Sequence, residues 1–263
     1  MTTRSMETLR LIGGGCIGFD LAANELRDVE ARLGFAEPTP TSEIPRAHYR
    51  SASVDGGRIF ERHDALRTPP VEQIGSSTTD LVSDIHLSIA LHATDDVFVH
   101  AGVVALGNVA VLLPGRSLAG KSTLVHELVS AGASYLSDEY ARITASGLIA
   151  PYARPIQLRA GSERHLVDPH NIGTVAPQPC VPGLVVFTHH REAAPFEPTL
   201  VPPAQAALEL FDNTVVAQLS PSRALRAAAQ VARTAIVVRS DRGEAAEAAA
   251  AILKMADQVS TPA

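Results

Sequence analysis

Residues 109–132, VAVLLPGRSLAGKSTLVHELVSAG, restrict the possible folds more than any other stretch of the chain. Val109 to Leu113 are apolar without interruption, as a strand buried on both faces must be. KSTLVHELVSAG reads as a helix closed by Gly132. Between them, Gly115 to Ser122 fits G-x-x-x-x-G-K-[ST], a backbone cradle for phosphate. At average residue usage such a match arises by chance in roughly 1% of chains of this length. An apolar strand before the loop and a helix after it are the context that the motif requires.

The physics of such a loop is specific. Successive backbone N–H groups from Ser117 through Leu118, Ala119, Gly120 and Lys121 to Ser122 would curl into an anion-binding nest at a helix amino terminus. Gly115 and Gly120 admit backbone conformations that other residues resist. The Lys121 ammonium would reach the β- and γ-phosphates. The Ser122 hydroxyl would ligate Mg²⁺, with Thr123 adding a polar contact and Arg116 inside the loop.

Magnesium also needs a carboxylate, and the position of that acid separates the classes of protein that carry this loop. The downstream apolar strand GLVVFTHH ends in histidines, not an acid. There is no N-K-x-D for guanine and no L-S-G-G-Q. The strand that delivers acids is YLSDE, one helix beyond Lys121. The expectation is therefore that the loop meets Asp138 and Glu139 through adjacent strands. Adjacent residues of a strand face opposite ways, so both acids reach one site only if the strand ends there.

Three zones organise the chain. In the first, TLRLIGGGCIGFDL reads as strand, glycine turn and strand. NELRDVEARLGF reads as a helix capped by Asn24, and HYRSASVDGGRIFER as a hairpin around Asp55-Gly56-Gly57. This zone, residues 1–70, is expected to be a small α+β region. In the second, Leu81, Ile85 and Ile89 recur four apart, so TTDLVSDIHLSIALHA predicts an amphipathic helix. DDVFVHAGVVALGNVAVLLPG predicts two or three strands with a turn at Gly107-Asn108. The third zone adds a strand at GLVVFTHH, a helix at AQAALELFDNT, a strand at TAIVVRS and an Ala-rich terminal helix. The fold class is α/β, with residues 71–263 forming the loop-bearing domain.

Composition narrows the functions. The chain has 263 residues, a net charge of −6, 46% hydrophobic and 19% charged residues, which describes a globular protein. Trp is absent, aromatics are 4%, and no block of Lys and Arg occurs, so neither a nucleic-acid partner nor a membrane surface is expected. The first fifteen residues lack the apolar core of a signal peptide, and no apolar run reaches the ~18 residues that span a bilayer. The expected location is the cytoplasm. Cys16 and Cys180 predict no disulfide framework. His189-His190 would point apart on a strand, which argues against a metal pair.

The segment VHAGVVALGNVAVLLPGRSLAGKSTLVHELVSAGASYLSDEYARI resembles the kinase domain of the HPr kinase/phosphorylase family and its looser HPr-kinase-related set, whose fold is akin to phosphoenolpyruvate carboxykinase. His100-Ala101 stands where that family has His-Gly or His-Ala before the loop strand. Gly115, Ser117, Gly120, Lys121 and Ser122 match its loop, G-x-S-x-x-G-K-S. Asp138-Glu139 stands for its Asp-Asp pair, and Arg159 in IQLRAG for its I-R-G arginine. The resemblance covers about residues 75–160. The HPr-contacting signature does not follow Arg159, so HPr itself is not implied as acceptor.

That resemblance implies an Mg-ATP-dependent kinase acting on a hydroxyl of a peptide or protein serine or of a small molecule. Asp138 would contact Mg²⁺ or act as general base, and Glu139 would share the metal, orient Asp138 or point to solvent on the opposite strand face. His100 would hydrogen-bond Asp138 and tune its pKa. Arg159 would neutralise the transferring phosphoryl group, with Arg154 and Arg116 as competitors. The family's members assemble as oligomers, which implies a homo-oligomer without a legible interface. The rival reading is a nucleotide-binding regulator or ATPase switch that has no phosphoryl acceptor.

Overall fold

The structure is a computed structural model. It describes residues 4–10, 12–33, 39–55, 57–115, 120–160 and 163–260, the side chains of 4–6, 39, 157–160 and 163–166 excepted. The chain divides into two compact units, Met1–Asp96 and Val97–Ala263. Among the described residues it is a mixed α/β protein with two large mixed sheets, a two-stranded ribbon and six α-helices. None of these helices is long and apolar enough to cross a membrane.

The first unit is a six-stranded sheet in the order β3-β1-β2-β4-β5-β6. Its strands are β1 (Arg4–Arg10), β2 (Cys16–Ala22), β3 (Thr39–Pro40), β4 (Ala47–Val54), β5 (Gly57–Asp64) and β6 (Val71–Gly75). The two expected hairpins are present as β1–β2 and β4–β5. Helix α1 (Ala23–Leu33) begins one residue before Asn24, the residue that the sequence suggests as its cap. Helix α2 (Thr78–His92) is the amphipathic helix expected from Leu81, Ile85 and Ile89, all of them buried. It packs on α1, β2 and β6. The sequence grouped this helix with the loop-bearing domain from residue 71, whereas the division falls after Asp96. The apolar stripe fixed that the helix must be covered, but not by which sheet.

The second unit holds β7 (Val97–Leu106), β8 (Val109–Pro114), α3 (Lys121–Ser130), β9 (Ser134–Ser137), β10 (Tyr140–Ile143) and β11 (Ile149–Ala150). The ribbon β12 (Ile156–Ala160) and β13 (Glu163–Val167) follows, then β14 (Val181–His190), β15 (Thr199–Leu200), α4 (Pro203–Asp212), α5 (Pro221–Thr234), β16 (Ile236–Arg242) and α6 (Ala245–Ser260). The sheet order is β11-β10-β7-β8-β14-β16-β15, with β9 also on β7. Strands β8, β14 and β16 run parallel. DDVFVHAGVVALGNVAVLLPG thus makes two strands, β7 and β8.

Alternation along these strands builds two cores. Val104, Val111 and Leu113 meet α3 and α6 through Leu124, Leu128, Ala249 and Ile252. Val103, Ala110 and Leu112 face the other way, toward Leu210 of α4 and Ala224, Ala228 and Val231 of α5. Helices therefore cover both faces, and β8 is the doubly buried strand that its apolar run predicts. The parallel strands share one carboxyl edge, where β8 ends at Pro114, β14 at His190 and β16 at Arg242. In sheets of this kind, ligand sites form beyond that edge.

Candidate functional site at the carboxyl edge of β8

The loop leaves β8 at this edge, and α3 starts at Lys121. Gly115 N donates to His100 O at 3.0 Å, which ties the loop's first residue to β7. Gly120 precedes the helix with φ of 74°, a left-handed conformation that glycine adopts without a Cβ penalty. Its carbonyl accepts the first helical bond, from Leu124 N at 3.2 Å. Arg116, Ser117, Leu118 and Ala119 lie outside the described residues, so the nest itself is not part of the description.

The acid pair sits in a break between strands. Strand β9 ends at Ser137 and β10 begins at Tyr140, and both pair with β7. Ser137 makes the break: its hydroxyl accepts from Glu139 N at 3.4 Å and Tyr140 N at 3.1 Å, a side-chain turn that replaces ladder bonds. The strand does end at the acids, so their side chains escape strict alternation. Their strand is not adjacent to β8, however, because β7 lies between. The gap closes through α3, which crosses over β7 at Gly102. A Cβ on Gly102 would meet Val125 Cγ2 at 2.6 Å, so the bare backbone there is what lets the helix lie so close.

Ser122 Oγ consequently donates to Asp138 Oδ2 at 3.1 Å. Tyr135 OH lies 3.3 Å from Asp138 Oδ1 and 3.0 Å from the Arg154 carbonyl. Asp138 is 7% exposed, and burial holds its carboxyl above the ordinary carboxylate range. The Arg154 charge and the bonds from Ser122 and Tyr135 pull it down, while the like charge of Glu139 pushes it up. Glu139 is the more open acid and forms an ion pair with Arg154. Burial also lowers the Lys121 ammonium, against the pull of Glu139 and Asp138. Thr123 is exposed in the first turn of α3.

The histidine and the arginines expected at the acid pair are placed as follows. His100 is the register partner of Tyr140, and its ring lies against that tyrosine with centroids 5.0 Å apart. The Asp138 side-chain hydrogen bonds described are to Ser122 and Tyr135. Among the described residues Arg154, weighed from sequence only as a competitor to Arg159, is the arginine at the acid pair. Arg159 lies on β12 with its side chain outside those described.

Sequence reasoning missed Tyr135, although its place three residues before Asp138 is a usable signal. It also missed Arg242, whose Nη2 donates to Gly120 O at 3.0 Å from 122 positions away. Among the described residues no group of three or more His, Cys, Asp or Glu is placed to hold a metal. Magnesium does not require one, since it is commonly held by one or two carboxylates together with phosphates and water. The hard oxygens of Ser122, Asp138 and Glu139 fit that donor set.

No protein-family model matches the chain, and no curated protein matches it.

Proposed function

We propose that this protein is an Mg-ATP-dependent phosphotransferase that moves the γ-phosphoryl group to a hydroxyl of a peptide or protein serine or of a small molecule. The observation that carries the reading is the Ser122–Asp138 hydrogen bond of 3.1 Å, which joins the helix behind the loop to the one buried acid of the pair. The resemblance of residues 75–160 to the HPr kinases supports it. The loop and Lys121 hold the β- and γ-phosphates. Ser122 and Glu139 are the groups that would hold Mg²⁺, whose charge would offset that of the phosphate oxygens. Asp138 accepts the proton of the attacking hydroxyl as the new phosphorus–oxygen bond forms and the bond to ADP breaks. Burial raises its carboxyl above the ordinary range, which makes the carboxylate a stronger base than an exposed one. Arg154, beside both acids, offsets the charge that develops on the transferring group.

The test follows the label of γ-phosphate-labelled ATP in the presence of Mg²⁺, with hydroxy amino acids, small metabolites and peptides as acceptors. Label is expected on an acceptor, with transfer reduced on the order of 10²–10³-fold in Lys121→Ala and Asp138→Asn. Glu139→Gln is expected to raise the magnesium requirement more than it lowers the saturated rate. Label released only as free phosphate, with Asp138→Asn unaffected, would move the protein to the ATPase or switch class.

A further inference from the structure

Arg242 is the last residue of β16 and only 3% exposed. A buried guanidinium ordinarily needs a carboxylate, because desolvating an unpaired charge is costly. Among the described residues, Arg62 obeys this, and so does the partly buried Arg154. Arg62, 1% exposed, binds Asp84 at 2.9 Å and Glu72 at 2.5 Å, and Arg154 is paired with Glu139. Arg242 has no carboxylate of any described residue within ion-pair distance. Arg116, Ser117, Leu118 and Ala119, the four residues directly before Gly120 in sequence, carry no acid either. Glu244 acts on it only through space.

Its hydrogen bonds among the described residues go to carbonyls: Nη2 to Gly120 O at 3.0 Å and Nη1 to Gly243 O at 3.2 Å. Guanidinium has five N–H donors. Nε is buried and has no partner among the described residues. The guanidinium therefore stands at the amino terminus of α3 with donors to spare and, among the described residues, no carboxylate paired with its charge. It is packed so tightly that a Cβ on Gly120 would lie 2.5 Å from Nη2. A helix amino terminus favours an anion, and a fixed guanidinium beside it favours the same anion.

We propose that Arg242 is a phosphate-binding residue of this site, supplying the buried positive charge that meets the polyphosphate of the bound nucleotide. The inference rests on reading residues 115–123 as a phosphate-holding loop. The missing counter-charge of Arg242 is then the ligand's own. Binding also satisfies the idle donors, and the two carbonyl bonds hold the guanidinium ready in the free protein.

The test measures pyrophosphate and ATP affinity by calorimetry, and the melting temperature without ligand, for the wild type, Arg242→Gln and Lys121→Ala. Glutamine keeps an amide donor for the Gly120 carbonyl and carries no charge. Arg242→Gln is expected to weaken both ligands by roughly tenfold or more while melting no lower than the wild type. Should it fail to fold, Arg242→Met, which removes the unpaired charge and its donors together, is read by the same criteria. Wild-type affinity in the Arg242 variant alongside loss in Lys121→Ala would overturn the role of Arg242 and leave the loop reading standing. No wild-type binding, or wild-type affinity in both variants, would overturn the loop reading and the role of Arg242 with it.

Discussion

Asp138 shows how a residue's environment sets both its chemistry and its cost. Its carboxyl is raised by burial, against the pull of Arg154, Ser122 and Tyr135. An acid whose folded pKa lies above its unfolded value of 3.8 destabilises the fold when ionised. That cost is complete above the folded pKa and vanishes as the pH falls below the unfolded one. Asp138→Asn is therefore expected to melt at or above the wild type at pH 7 without ligand, the gap closing toward pH 4, even as transfer is lost. A variant melting well below the wild type at pH 7 would show that the charged form is needed for folding. The candidate acid was legible in the sequence because it follows the loop by one helix. Its burial and its bond to Ser122 were not, because both depend on what α3 covers.

At the scale of elements, the site depends on how closely α3 approaches β7. Gly102 sits where that helix crosses, with Val125 Cγ2 at 2.6 Å from any added Cβ. Gly102→Val is expected to cost about 1–3 kcal/mol through overpacking. It is also expected to weaken nucleotide binding by lifting Ser122 away from Asp138, as chemical denaturation and calorimetry would register. Unchanged stability would mean that the helix shifts freely and that the close approach is not required. Strand β8, helix α3 and strand β14 were legible because each carries a clear period or an unbroken apolar run. Helix α5 went unassigned: its buried face is mostly alanine, Ala224, Ala227 and Ala228, with Val231 and Ala232. Alanine is a weak hydrophobic marker, and only packing against β14, β16 and β7 shows that this face is inside.

At the scale of the whole molecule, the loop, the acid pair, Arg154 and Arg242 all belong to the unit Val97–Ala263, which contains both cores of the loop-bearing sheet. A fragment covering residues 95–263 is expected to fold cooperatively and to bind pyrophosphate within a few-fold of the full chain, since a unit with its own core can fold alone. A fragment that stays unfolded by circular dichroism would show that residues 1–94 complete its core. The sequence by itself determined the strand–loop–helix unit, the α/β class and the acids one helix downstream. Each of these is written in local spacing, in residues that are near neighbours along the chain. Only the tertiary structure decided that β7 separates the acid strand from β8 and that α2 belongs with the first sheet. It alone brought Arg242 to Gly120 from 122 positions away. Such contacts are fixed by strand order and by which faces bury one another, and no local pattern encodes either.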